Sequence, residues 1–227
     1  MPVLQALKAT LFGEGEAGRQ NDVRVITARY NIGNMRSPGE SRRRFFACRI
    51  NQINSEKMIL IAPVIGDIGE EIIVQSDEFG ELKGPLVSIE NRGFQLDIDA
   101  TDEERAKLAA KIDWYEKHSN EEAPNRRKHK RILPHEPLST LVLADGSTPT
   151  CFVIDMSRTG VAVSAEIMPQ IGLPLAVGRV LGRVVRHLPN GFAVQFIRKQ
   201  ELDPLEQLLI KPPMSPLKQL KSKIVVR

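Results

Sequence analysis

The feature that most constrains this chain of 227 residues is an internal repeat. When the first half is slid along by 103 positions, Cys48 falls on Cys151, Leu60 on Val163, Ile68-Gly69 on Ile171-Gly172, and Ile72 and Val74 on Leu175 and Val177, with no gap between. A hairpin around Ser76 to Leu82 is five residues longer in the first copy, and beyond it an offset of 98 puts Gly84 on Gly182, Val87 on Val185 and Gly93-Phe94 on Gly191-Phe192. Glycines and isoleucines can coincide by chance, so the weight rests on the order of events. Each copy runs through short strands and then into a helix, and two copies of one module account for the length better than one large domain.

The module reads as a small antiparallel barrel. In the second copy, strands are expected at Leu138 to Ala144, Thr150 to Ser157, Gly160 to Ser164, Leu175 to Val177, Val180 to His187 and Phe192 to Ile197, with Asp145-Gly146 and Asn190-Gly191 as turns. The first helix opens on Thr101-Asp-Glu-Glu104, a capping box, and runs to about His118 with an apolar stripe of Ala106, Leu108, Ala109, Ile112 and Tyr115. The second is expected to take Asp203 as its N-cap and Pro204 as its first residue, with Leu205, Leu208 and Leu209 on its apolar face. Between them, residues 119–125 are polar and charged, the composition of an interdomain linker.

Composition narrows the classes. With 41% hydrophobic and 26% charged residues the chain can bury a core. No apolar run approaches the ~20 residues of a membrane helix, and Met1 to Phe12 lacks the pattern of a signal peptide, so a cytoplasmic protein is expected. Two cysteines are too few for a disulfide framework or a cysteine zinc site and read as buried thiols. A net charge of +4, from 32 basic and 28 acidic residues, is mild for a nucleic-acid binder, which directs attention to where the charge is concentrated.

It is concentrated in Arg126-Arg-Lys-His-Lys-Arg131. By itself such a run reads as a solvated linker or a loose nucleic-acid patch. After 23 residues comes Asp155-Met-Ser157-Arg-Thr-Gly160, which by itself reads as a strand ending in an Asx-type turn. Together, RxxxR ahead of a first strand and DxSxxG at the end of the second resemble the PilZ domain, a bacterial receptor module for the second messenger cyclic di-GMP. The resemblance spans roughly Arg126 to Leu209. It implies an all-β fold with short helices, two tandem six-stranded antiparallel barrels each followed by a helix, and an arginine segment that wraps over ligand held on the barrel surface. It further implies that a basic residue at Arg126 favours a stacked pair of ligand molecules.

Side-chain chemistry points the same way. On a regular strand Phe152, Ile154 and Met156 would face the core, and Val153, Asp155 and Ser157 would face out together. Asp155 can accept from the N–H groups of a guanine Watson–Crick edge, Ser157 can donate or accept beside it, and Gly160 lets a base or phosphate approach the backbone. Arg127 and Arg131 can grip phosphate or the O6/N7 edge of guanine as planar forks, and Arg126 is a candidate for a further phosphate contact. Arg158, Arg183 and Arg186 are placed near the site without an assigned role.

The first copy departs from this pattern. Gln52, Asn54 and Lys57 stand where Asp155, Ser157 and Gly160 stand in the second, and no RxxxR precedes its strands. The expected organisation is an N-terminal extension at 1–21, a degenerate PilZ-like barrel plus helix at 22–118 without a cyclic di-GMP site, the linker at 119–125, a ligand-binding PilZ domain at 126–210, and a basic tail at 211–227. The degenerate barrel reads equally as a lid or partner surface and as a purely structural domain. His118, His129, His135 and His187 lack metal-ligand spacing and no nucleophile sits in a recognisable elbow, so neither a metal nor an enzyme activity is expected. The expected partners are cyclic di-GMP and an unidentified protein, with a homodimer compatible with the sequence and no cofactor. By resemblance the output is motility, exopolysaccharide or biofilm control. A nucleic-acid-binding barrel using 126–131 and a ligand-free scaffold are the alternatives.

Overall fold

In the computed structural model, residues 26–33, 35–36, 43–118 and 131–210 are described. The first unit comprises β1 (Ile26–Ile32), β2 (Phe46–Ile53), β3 (Lys57–Ile61), β4 (Glu71–Ser76), β5 (Gly80–Glu90), β6 (Gly93–Asp97) and α1 (Asp102–His118). The second comprises β7 (Leu138–Val142), β8 (Thr150–Ser157), β9 (Gly160–Ala165), β10 (Pro174–Val177), β11 (Val180–Leu188), β12 (Gly191–Phe196) and α2 (Leu202–Ile210). Each set of six strands closes into an antiparallel barrel, in the orders β1-β2-β3-β6-β5-β4 and β7-β8-β9-β12-β11-β10. Closure leaves no unpaired edge inviting another strand. The two orders are the same once the copies are superposed by sequence, so the repeat is a repeat of topology.

The irregularities repeat as well. In the first barrel the ladder slips by one residue at Asn51, between Ile50 and Gln52, and at Val87, between Leu86 and Ser88. In the second it slips at Ile154 and at Val185. These positions are related by 103 and 98, the two sequence offsets. Gly93 and Gly191 also face the same constraint: a Cβ would fall within 1.8 Å of Leu60 O in one barrel and 2.0 Å of Val163 O in the other. Cys48 and Cys151 are both fully buried free thiols at matching core positions.

The bulge at Ile154 corrects the expected facing of β8. Cys151, Val153 and Met156 enter the core, whereas Phe152 packs outside it with Ile154. A bulge places two residues opposite one and breaks the strict alternation on which the expectation relied. The extra residue puts Asp155 and Ser157 on the same outer side as Phe152 and Ile154, which an unbroken alternation would not do.

Each helix packs an apolar face on the core of its own barrel. Glu104 N–H donates to Thr101 Oγ1 at 3.3 Å while Glu104 Oε2 accepts from Thr101 N–H at 2.8 Å, completing the capping box. Only Leu108 of α1 is buried, with Ile112 and Tyr115 packed at the edge of the core; Ala106 and Ala109 face solvent, so the stripe is narrower than expected. Helix α2 begins at Leu202, which packs on the second core, so Asp203 sits within the first turn rather than at the N-cap. Its carboxylate still favours the positive end of the helix. Leu205 and Leu209 are fully buried.

The barrels meet along β2, β8 and β9. Phe152, Ala47 and Ile61 form a buried apolar seam flanked by Leu138 and Ile154. Ala47 N–H donates to the buried Ser164 Oγ at 2.9 Å. Arg44 lies over the Phe46 ring, 4.8 Å from its centroid, and donates to the Ala165 carbonyl at 3.1 Å and to the Glu166 carbonyl. Arg49 donates to the carbonyls of Pro134 at 2.7 Å and His135 at 2.8 Å. Burial lowers the pKa of both guanidinium groups, opposed by Glu166 beside Arg44 and by Glu136 near Arg49.

Candidate functional site

The hairpin β8–β9 shapes the site. Ser157 pairs with Gly160 at its end, and Ser157 Oγ donates to the Gly160 carbonyl at 3.2 Å while receiving Thr159 N–H at 3.4 Å. Such side-chain-to-backbone bonds, with a further contact between the Ser157 and Thr159 hydroxyls at 3.4 Å, fix a tight turn. A Cβ on residue 160 would lie 2.6 Å from Val194 O on β12. Strand packing therefore demands glycine there whether or not a ligand approaches.

Arg131 reaches this hairpin because the chain next to it is pinned. Ile132 and Met156 exchange two backbone hydrogen bonds, of 2.8 and 2.9 Å, just before β7. That bridge brings Arg131 Nη1 to 2.9 Å from Asp155 Oδ2, with side chains 35% and 23% exposed. The pair is half open to water, so screening keeps its own contribution to stability small. Its value is in geometry: a forked donor and a carboxylate acceptor sit side by side at one lip of a cleft.

That cleft has a volume of about 330 Å³ and is lined by Arg131, Asp155, Ser157 and Gly160 together with Arg186 and Gln195. Four of the residues expected from the sequence are thus brought together. Arg126 and Arg127 lie outside the described residues. Arg186 joins the lining, while Arg158 is engaged with Glu201 at 2.5 Å and the Gln200 carbonyl at 3.3 Å, and Arg183 donates to the Gly172 carbonyl at 2.5 Å. The apolar floor, which includes the bulge residue Val185, escaped the sequence reading. The Val184-Val185 doublet, which breaks the alternation of β11 in the sequence, is the signal that could have disclosed it.

Asp155 also borders a second, larger cleft of about 710 Å³ between the barrels, reached by Arg29, Gln75 and Asp77 from the first and by Phe152 and Asn190 from the second. In the first barrel the residues at the corresponding positions differ in chemistry and in engagement. Asn54 Oδ1 is occupied by the N–H groups of Glu56 and Lys57, both at 2.8 Å, and Lys57 replaces the glycine. Among the described residues no group of His, Cys, Asp and Glu is arranged to hold a metal ion, and no helix is long and apolar enough to cross a membrane.

Comparison with known proteins adds a family and several distant structures. No curated protein matches the chain. Similar solved structures include the PlzA protein of Borreliella burgdorferi in complex with c-di-GMP, 15% identical, covering 82% of this chain and 86% of its own, with a TM-score of 0.29. YcgR from Escherichia coli in complex with c-di-GMP is 13% identical over 87% of this chain and 84% of its own, with a TM-score of 0.24. The Bacillus subtilis inhibitor of motility MotI/DgrA is 9% identical over 89% and 98%, with a TM-score of 0.23. The family model of the PilZ domain matches residues 125–211, which contain the basic segment, the whole second barrel and α2. Over residues 125–211, this chain is similar to the PilZ domain family.

Proposed function

We propose that the protein is a non-enzymatic receptor for cyclic di-GMP, with the ligand held at the second barrel by Arg127, Arg131, Asp155, Ser157 and Gly160 and with Arg126 adding a phosphate contact. The observation that carries this reading is the Arg131–Asp155 pair beside Ser157 at the mouth of one cleft, within the stretch similar to the PilZ domain family. Guanine presents an N1–H and a 2-amino group on one edge and O6 and N7 on another. Asp155 can take the donor edge, and a freed or shared Arg131 can take the acceptor edge or a phosphate. A site for simple anions would have no use for a carboxylate at its mouth. Ligand capture draws the basic arm onto the barrel, resets the angle between the two barrels, and is passed on through protein contacts to motility, exopolysaccharide or adhesion, with the first barrel as the partner-facing module.

Calorimetric titration of the full chain with cyclic di-GMP, GTP and a DNA oligomer tests the reading. Cyclic di-GMP is expected to bind saturably, and Arg131→Ala is expected to lose about 30- to 150-fold, the ~2–3 kcal/mol of a charge-assisted contact. Unchanged affinity in that variant would overturn the site. Binding to DNA with a steep salt dependence, indifferent to Asp155→Ala, would replace this reading by a nucleic-acid-binding barrel.

A further inference from the structure

The segment between Arg131 and β7 is short and rich in proline, and its carbonyls are claimed from two sides. Ile132 and Pro137 give theirs to the N–H groups of Met156 and Val153 on β8, at 2.9 and 2.7 Å. Pro134 and His135, in the middle, give theirs to the first barrel, where the two ends of the Arg49 guanidinium receive them at 2.7 and 2.8 Å. Glu136, next in line, pairs with Arg92 of the first barrel, and its N–H donates to Glu206 of α2 at 3.0 Å. Arg49 itself is only 9% exposed and stands on β2, held in the ladder opposite Ile61. A planar fork on a rigid strand fixes both the position and the orientation of the two peptide groups it binds, which a flexible ammonium would not do.

We infer that Arg49 of the first barrel is a positioning residue for the ligand arm: without touching the ligand, it holds residues 134–135 so that Arg131 is presented to the site beside Asp155. The inference rests on the reading of that site as the cyclic di-GMP site. It gives the degenerate barrel a definite task, since an arm already fixed in place spares the ligand the entropy of ordering it. Linkage makes the effect reciprocal, so ligand bound through Arg131 tightens the seam between the barrels.

The test is a set of full-length variants titrated with cyclic di-GMP: Arg49→Met, which keeps length and removes the fork; Arg49→Lys, which keeps the charge; Arg131→Ala; and Arg49→Met combined with Arg131→Ala. The expected result is a loss of about tenfold for Arg49→Met. Arg49→Lys should fall between it and the parent, and Arg49→Met should cause no further loss once Arg131 is alanine. That last outcome is one a generally weakened interface would not give, because independent effects add. Equal affinity of the parent and Arg49→Met, or full additivity in the double variant, would overturn the inference while leaving the receptor reading intact. A parent that binds no cyclic di-GMP would overturn the receptor reading itself. Should Arg49→Met fail to fold, Arg49→Lys carries the test alone, and parental affinity in it would overturn the role of the fork.

Discussion

Ser164 of the second barrel accepts the Ala47 N–H of the first at 2.9 Å, and both residues are buried. Strand β3 runs out at Ile61, opposite Arg49, so Ala47 lies beyond its ladder and its N–H is met by a side chain from the other copy. The residue that corresponds to Ser164 in the first barrel is Ile61, itself part of the seam. Replacing Ser164 by alanine strands a buried donor, and a loss of about 1–3 kcal/mol is expected in urea unfolding of the full chain. An unchanged midpoint would mean that water replaces the hydroxyl.

Asp155→Asn keeps the size of the side chain but turns part of an acceptor into a donor. It removes the charge opposite Arg131 and points N–H groups at the N–H groups of guanine. We expect at least tenfold weaker binding of cyclic di-GMP with little change in melting temperature, since the ion pair it breaks is partly solvated. Calorimetry together with a thermal melt separates the two effects. A matched fall in both would instead mark Asp155 as structural.

Alanine at Gly93 or at Gly191 forces a Cβ against the backbone of the neighbouring strand, at Leu60 O or Val163 O. Backbone cannot swing aside as a side chain can, and each substitution is expected to cost about 3 kcal/mol or more. Equal losses in the two variants, read by denaturant titration, would extend the equivalence of the copies from sequence to energetics. A neutral Gly93→Ala would refute that equivalence.

Burial pushes the Cys151 thiol from its ordinary 9.0 up to about 12, and the Cys48 thiol higher still. Both should resist thiol reagents at about pH 8 in the folded protein and react on unfolding. The sign of the pH effect follows: the unfolded chain ionises first, so this part of the stability is intact below about pH 9 and declines as pH climbs toward 12. Cys151→Ala should flatten that decline in urea midpoints taken across the range, and an identical slope in parent and variant would contradict it.

Much of this molecule could be read in advance. The sequence marked the strands and turns of the second barrel, and the two offsets carried them to the first; the bulges obey the same offsets but appeared only in the structure. That Arg131, Asp155, Ser157 and Gly160 come together at one cleft was legible from motif spacing, because core packing requires neither the arginine nor the aspartate, although it does require the glycine. Three things were hidden. Phe152 and Ile154 look like core residues, and a period-two pattern cannot tell the inside of one barrel from the seam with another. Arg49 looks like any strand arginine until the carbonyls of Pro134 and His135 are found at its two ends. Helix α1 looked more amphipathic than it is, since alanines serve a buried or an exposed face equally well.

The extra residue at Ile154 changes the parity of β8 halfway along its length. Ahead of it the even-numbered side chains look outward and meet the first barrel; beyond it the odd-numbered ones do, and Asp155 and Ser157 meet the cleft. One strand thereby serves two different clients on a single side, a feat an unbroken pleat could manage only by burying one of them. Flattening the bulge while keeping its residue would leave every functional group in the sequence and turn the carboxylate toward the hydrophobic interior.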